Sequence, residues 1–106
     1  MRTRVTFRHM DSVPDLESHA NTALDRVVKA LEHEPSHRNI DLILEAGRLH
    51  AHHAVELLVS CPNVNLVIKE EGPHMYQLID LACDIAYRKI HEQKKKVIDA
   101  RKRAGK

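Results

Sequence analysis

Residues 72–106 read GPHMYQLIDLACDIAYRKIHEQKKKVIDARKRAGK, one stretch with two kinds of patterning. Gly72 can take a non-helical cap conformation and Pro73 lacks an amide that a first helical turn would leave unbonded, so the pair predicts a helix start. From there Met75, Leu78, Ile79, Ala82, Ala86 and Ile90 recur at steps of three and four, which is one face of a helix. Past Ile90 the apolar stripe nearly stops, and Lys94, Lys95, Lys96, Arg101, Lys102, Arg103 and Lys106 are opposed only by Glu92 and Asp99. Unpaired charges are costly to bury, so the second half cannot share the core of the first. The reading is a helix from His74 to about Arg103, roughly 45 Å long at 1.5 Å per residue. A domain of this size has a radius of gyration of about 13 Å, so the basic end is expected to overhang the body or fray.

Outward from that helix, three segments upstream alternate with period two. Ile40, Leu42 and Leu44 alternate with Asp41, Ile43 and Glu45; Val55, Leu57 and Val59 with Glu56, Leu58 and Ser60; Val64, Leu66 and Ile68 with Asn65, Val67 and Lys69. The joints contain Gly47 and Pro62-Asn63, so the strands pair antiparallel in sequence order. Further back, Leu16, Ala20, Ala23, Leu24, Val27 and Leu31 mark an amphipathic helix of four to five turns that ends before His33-Glu34-Pro35. Asp11 and Ser12 supply its cap and Pro14 fits its first turn. Arg2 to Arg8 alternates as a strand, with Val5 and Phe7 inward and Arg2, Arg4, Thr6 and Arg8 outward.

The order is β-α-β-β-β-α. Two helices with one apolar face each, against a half-apolar sheet, make an α+β fold: a four-stranded sheet with both helices on one face, like a double-stranded-RNA-binding domain. The first helix serves as a right-handed crossover between two parallel strands. The other sheet face is left in water.

A chain of 106 residues is one domain with one modest core. Its net charge of +2 hides a division: residues 1–87 carry 8 Lys and Arg against 13 Asp and Glu, and residues 88–106 carry 9 against 2, giving −5 and +7. A cationic segment on an acidic body predicts a polyanionic partner, nucleic acid before anionic membrane. Two cysteines, Cys61 and Cys83, without close spacing or an export signal, point to a reducing cytoplasm and to small buried side chains. No apolar run approaches a membrane span.

The strand Val64 to Lys69 runs into Met75-Tyr76, then Ile79-Asp80, then Arg88, Lys89, Lys94, Lys95 and Lys96. In element order and in these residues, from Val5 to about Lys96, the chain resembles the ribosome hibernation-promoting factor family, which includes the ribosome-associated inhibitor A proteins. It departs from the family pattern at His74, Leu78 and the loop 46–53. The resemblance implies binding to the small ribosomal subunit and its rRNA in the channel of messenger and transfer RNA, and inhibition of translation in stress or stationary phase. It also implies a short form without the C-terminal dimerisation domain of longer members. Ribosome dimers are compatible with it, since they depend on tails and partners.

Neutralising rRNA phosphates requires cations spread along a surface. The residues assigned to this are Arg88, Lys89, Lys94, Lys95, Lys96, Arg101, Lys102 and Arg103, a basic extension centred on residues 91–106, with Arg2, Arg4 and Arg8 extending the same field if the helix end lies toward the first strand. Arg88, Lys95, Arg101 and Lys102 share one broad sector, which Lys94, Lys96 and Arg103 widen. Complementing a helix dipole explains two or three such cations but not nine in nineteen residues. With only Phe7, Tyr76 and Tyr87 as aromatics, no pair of sheet-face rings is available for stacking bases, so shape and phosphate recognition are expected. Phe7 is assigned to the core, and Tyr76 to a packed site with its hydroxyl bonded at the edge.

Three other readings differ in class. His50, His52 and His53 share a turn, but two are adjacent and no acid or cysteine completes a set, so no metal or other cofactor is assigned. No nucleophile motif or phosphate-cradling glycine loop occurs, and neither an enzyme nor a small-molecule substrate is expected. A membrane-binding helix would have only Val97, Ile98 and Ala100 as its apolar face, so no membrane partner is assigned. The alternatives are a generic structured-RNA module, distinguished by whether messenger or transfer RNA competes, and a peripheral partner- or membrane-binding basic helix, distinguished by vesicle binding without RNA binding.

Overall fold

The fold is set by where proline and the sheet ladder let each helix begin. In the computed structural model, which describes residues 2–32, 39–47, 52–62 and 64–104 and the side chains of the last helix as far as Lys96, the order is β1 (Arg2–Arg8), α1 (Pro14–Ala30), β2 (Asn39–Glu45), β3 (His53–Cys61), β4 (Val64–Gly72) and α2 (Met75–Ala104). The strands form one sheet in sequence order. β1 and β2 are parallel, and β2–β3 and β3–β4 antiparallel, as the sequence implies.

Both helix starts differ from the sequence expectation, for one reason each. Proline pushes the residue before it into extended geometry. Val13 is accordingly extended and becomes the N-cap of α1, its carbonyl accepting the Glu17 N–H at 2.9 Å, with no side-chain cap from Asp11 or Ser12. Gly72 is not a helix cap because it completes β4 opposite His53. α2 starts after Pro73, and His74 takes the cap position, accepting the Leu78 N–H at 3.0 Å. Gly72 also sits against Leu78, whose Cδ2 would lie 3.3 Å from an added Cβ. Gly47 is needed for close approach, since a Cβ there would lie 2.1 Å from the His52 carbonyl oxygen.

Alternation along the strands sorts the sheet into two faces. Ile40, Leu42, Leu44, Val55, Leu57, Val59, Val64, Leu66 and Ile68 meet Leu16, Ala20, Leu24 and Val27 of α1 and Met75, Leu78, Ile79, Ala82, Ala86 and Ile90 of α2 in one buried cluster. Phe7 is half-buried against that cluster, and Cys61 and Cys83 are buried. Each fully buried Leu or Ile contributes about 1.5–3 kcal/mol, so the six α2 residues are what hold that helix to β3 and β4. Its 30 residues span about 45 Å at 1.5 Å each. The overall extents are 57 × 22 × 18 Å, so the end of α2 overhangs a body less than half that long in its other dimensions.

Candidate nucleic-acid interface

Among the described residues, Ile90 is the last fully buried side chain of α2. One turn later, half-buried Lys94 donates from Nζ to the main-chain carbonyl of Ala30, the last residue of α1. The last carbonyls of a helix lack intrahelical donors and carry partial negative charge, so an ammonium satisfies both. Lys89, Lys95 and Lys96 are exposed and have no ion pair among the described residues. Beyond them the main chain stays helical to Ala104 and carries Arg101, Lys102 and Arg103.

α1 and α2 run parallel, both from the end of the sheet where β4 finishes toward the end where β1 begins. That alignment builds a polar seam between them. His19 Nε2 lies 2.8 Å from Asp80 Oδ1, and the His19 ring meets Tyr76 edge-on at 4.9 Å. Arg26 Nη2 lies 3.6 Å from Asp84 Oδ1, while Arg88 Nη2 lies 3.1 Å from Asp84 Oδ2. The Arg26 guanidinium carbon stands 4.6 Å from the centre of the Tyr87 ring, and Tyr87 meets His91 edge-on at 4.5 Å. Exposed ion pairs contribute about 0–1 kcal/mol each, so this seam positions side chains more than it stabilises the fold. Tyr76 is not packed as the sequence suggested. It is 45% exposed, because its helix position faces the rim of α1, where the partner is the His19 ring.

The open sheet face follows from the register. Arg2 lines up with Asn39, Ser60 and Asn65; Arg4 with Asp41, Leu58 and Val67; Thr6 with Ile43, Glu56 and Lys69; Arg8 with Glu45, Ala54 and Glu71. Arg4 Nη2 lies 3.5 Å from Asp41 Oδ2. Arg2, Arg4, Arg8 and Lys69 thus share the face with Asp41, Glu45, Glu56 and Glu71, and the charges balance. The β1 arginines form a cationic rim on the edge strand, on the side of the sheet away from the helices. α2 leaves the body at the Arg2 end, and Arg8 is about 20 Å from that end at 3.3 Å per residue. Joining the rim to the arm means passing over the end of the sheet.

His52 Nε2 pairs with Glu71 Oε2 at 3.1 Å, and His53 Nδ1 accepts the Gly47 N–H at 3.3 Å. His50 lies outside the described residues, among which no group of three or more His, Cys, Asp and Glu is placed to hold a metal. Burial pushes the Cys83 thiol up to about 12, helped by Asp80 and opposed by Arg26, so it is not a thiolate at neutral pH. Among the described residues, no helix is long and apolar enough to cross a membrane.

One residue was missed by sequence reasoning. Arg26 reads as a solvated position on the polar side of α1, and its partners Asp84 and Tyr87 are about 60 residues away in sequence. A signal existed only in combination: with α1 and α2 set parallel, Arg26 in the last turns of α1 comes beside Asp84 and Tyr87 of α2.

Four strands, two parallel helices on one face and a cationic overhang define an α+β domain of the kind found in ribosomal hibernation factors. The sequence profile of the Sigma 54 modulation protein / S30EA ribosomal protein family matches residues 3–98. The chain belongs to that family, a family of ribosome-associated modulation proteins. The N-terminal domain of Protein Y from Thermus thermophilus has a similar fold, with TM-score 0.65 and 17% identity over 82% of this chain and 91% of that one. A ribosomal subunit interface protein from Coxiella burnetii gives TM-score 0.71 and 20% identity over 90% and 99%. No curated protein sequence matches the chain.

Proposed function

We propose that the protein binds the small ribosomal subunit through rRNA phosphates, occupies the path of messenger and transfer RNA, and silences translation under stress or in stationary phase. The observation that carries this reading is the division of α2, whose last buried side chain among the described residues is Ile90 and whose cations begin at Arg88, in a chain of the S30EA family. Phosphate neutralisation releases counterions, so cations held along a rigid helix are sufficient recognition chemistry. Arg88, Lys89, Lys95, Lys96, Arg101, Lys102 and Arg103 form the main contact, with Lys94 at its root. Arg2, Arg4 and Arg8 form a second, weaker contact, because four carboxylates share their face. Its place of action is the cytoplasm, where ribosomes are. The name of the Coxiella burnetii protein, a ribosomal subunit interface protein, agrees with this location.

The test is sedimentation with purified small subunits. Comigration at low salt that is lost as salt rises supports the reading, and protein left at the top of the gradient at low salt refutes it. Equal affinity for any long RNA duplex would favour a generic structured-RNA module. Retention on anionic vesicles without RNA binding would favour a membrane-surface helix.

A further inference from the structure

β4 is an edge strand, and among the described residues no strand pairs with its outer side. The exposed large hydrophobics among those residues are Val13, Val67, Tyr76 and Leu81, and two of them flank this edge. Val67, 66% exposed, stands near the middle of β4 on the open sheet face. Leu81, 42% exposed, belongs to α2 on the other face. At 100° per residue it lies on the flank of α2 turned away from α1, because Asp80, Asp84 and Tyr87 occupy the side that meets His19 and Arg26. Half-buried Ile85 follows one turn later on the same flank. The free edge thus has apolar groups both above and below it.

Unpaired N–H and C=O groups along an exposed strand are a template for another strand, and charged side chains are a common guard against it. β1, the opposite edge, is guarded in that way by Arg2, Arg4 and Arg8. β4 carries Lys69 against Glu70 and Glu71, while its first half, Val64 to Ile68, has no charge.

We propose that the partner for this edge is a second copy of the chain, β4 pairing antiparallel with β4 across a two-fold axis at Val67. That axis places Val67 opposite Val67, Leu66 opposite Ile68 and Asn65 opposite Lys69, with the uncharged half at the centre. Axes at Lys69, Glu70 or Glu71 oppose like charges, and an axis at Ile68 sets Leu66 against Glu70 and Val67 against Lys69. The helices fit the same axis. α2 lies over β3 and β4, about 2.4 Å inside β4 for strands about 4.8 Å apart. Two copies joined edge to edge therefore bring their α2 axes to about 10 Å, a distance at which helices pack. Leu81 and Ile85 of each copy then cover the outer flank of the other's α2. The contact is isologous and closes at two copies, since the edges left over are the arginine-bearing β1 strands. The side of α2 that faces α1 stays uncovered.

The experiment is sedimentation velocity of the full chain across micromolar to millimolar concentrations, on wild type, Val67→Lys, Leu81→Glu and, as an exposed position outside the contact, Val13→Lys. Wild type and Val13→Lys should pass from monomer to dimer at the same concentration. Val67→Lys and Leu81→Glu should each need at least about tenfold more, since each buries a charge without a partner. Register is read by disulfide formation with diamide as the oxidant. Opposed Val67 Cα atoms are about 4.5–5.5 Å apart in such a pair, within disulfide range, whereas the two Asn65 Cα atoms are about 14 Å apart. Val67→Cys should give a covalent dimer, and Asn65→Cys and wild type should not. A monomer at every concentration leaves the edge to a different strand and overturns the proposal. A dimer indifferent to both Val67→Lys and Leu81→Glu, or one that Asn65→Cys cross-links as readily as Val67→Cys, overturns it as well.

Discussion

Lys94 of α2 donates to the main-chain carbonyl of Ala30 at the end of α1. Among the described residues, Lys94 alone of the three consecutive lysines bonds to the body, while Lys95 and Lys96 are exposed. The run therefore divides: its first residue fixes where the arm departs, and the next two begin the charged surface. Identical side chains take different roles because successive residues on a helix are 100° apart and only one faces α1.

Lys94→Met should destabilise the fold by about 1–2 kcal/mol, through loss of a charged donor at a helix end. Lys95→Met should stay within about 0.5 kcal/mol of wild type yet lower the salt slope of RNA binding by about one. Denaturant unfolding and salt-dependent binding, measured on both variants, check the division.

Ile90 is fully buried, and the described residues after it, as far as Lys96, are half-buried or exposed. Ile90→Ala should cost about 2–5 kcal/mol and release the arm from its fixed direction. Hydrogen exchange should then rise in residues 90–96 more than in the first turns of α2. Equal protection along the helix would show that the arm is held elsewhere.

How much of this was legible in the sequence depended on the range of the interaction. The alternation of Val64, Leu66 and Ile68 and the stripe from Met75 to Ile90 are local, and they gave the order, the pairing and the buried face. Gly72 was misread as a cap because its partner, His53, is supplied by another strand. Tyr76 was misread as packed because helical spacing does not say how far α1 reaches along its rim. The Arg26–Asp84–Arg88 trio was invisible for the same reason: it exists only once two helices about 60 residues apart lie parallel. The basic character of the arm was plain from composition, but that Lys94 differs from Lys95 required knowing where α1 ends.

The Cys83 thiol is pushed from 9.0 up to about 12 by burial, with Asp80 adding to the shift. Its folded-state value is raised, so the neutral thiol's contribution to stability is complete below pH 9 and falls as pH rises toward 12. Wild type should lose stability over that window faster than Cys83→Ala, by at most about 1.4 kcal/mol per pH unit. At pH 8 the native protein should resist alkylation at Cys83 and react once unfolded. Rapid labelling of the native state would contradict the burial argument.

Arg2, Arg4 and Arg8 share their sheet face with Asp41, Glu45, Glu56 and Glu71, whereas Lys95 and Lys96 meet no such balance. Changing the three arginines to Gln should therefore weaken RNA binding less than changing Lys95 and Lys96 together. Affinity titrations at a fixed, stated salt concentration settle the order. A larger loss from the strand would make β1 the main contact.

On the proposed function, the protein and the translated RNAs exclude each other on the small subunit. The most direct measurement is displacement: labelled protein bound to purified small subunits, titrated with a short messenger and its cognate transfer RNA at constant ionic strength. Progressive release of the protein is expected as the two RNAs bind, with no comparable release by a non-binding RNA at the same concentration. Simultaneous occupancy, with the protein retained at saturating messenger and transfer RNA, would contradict it.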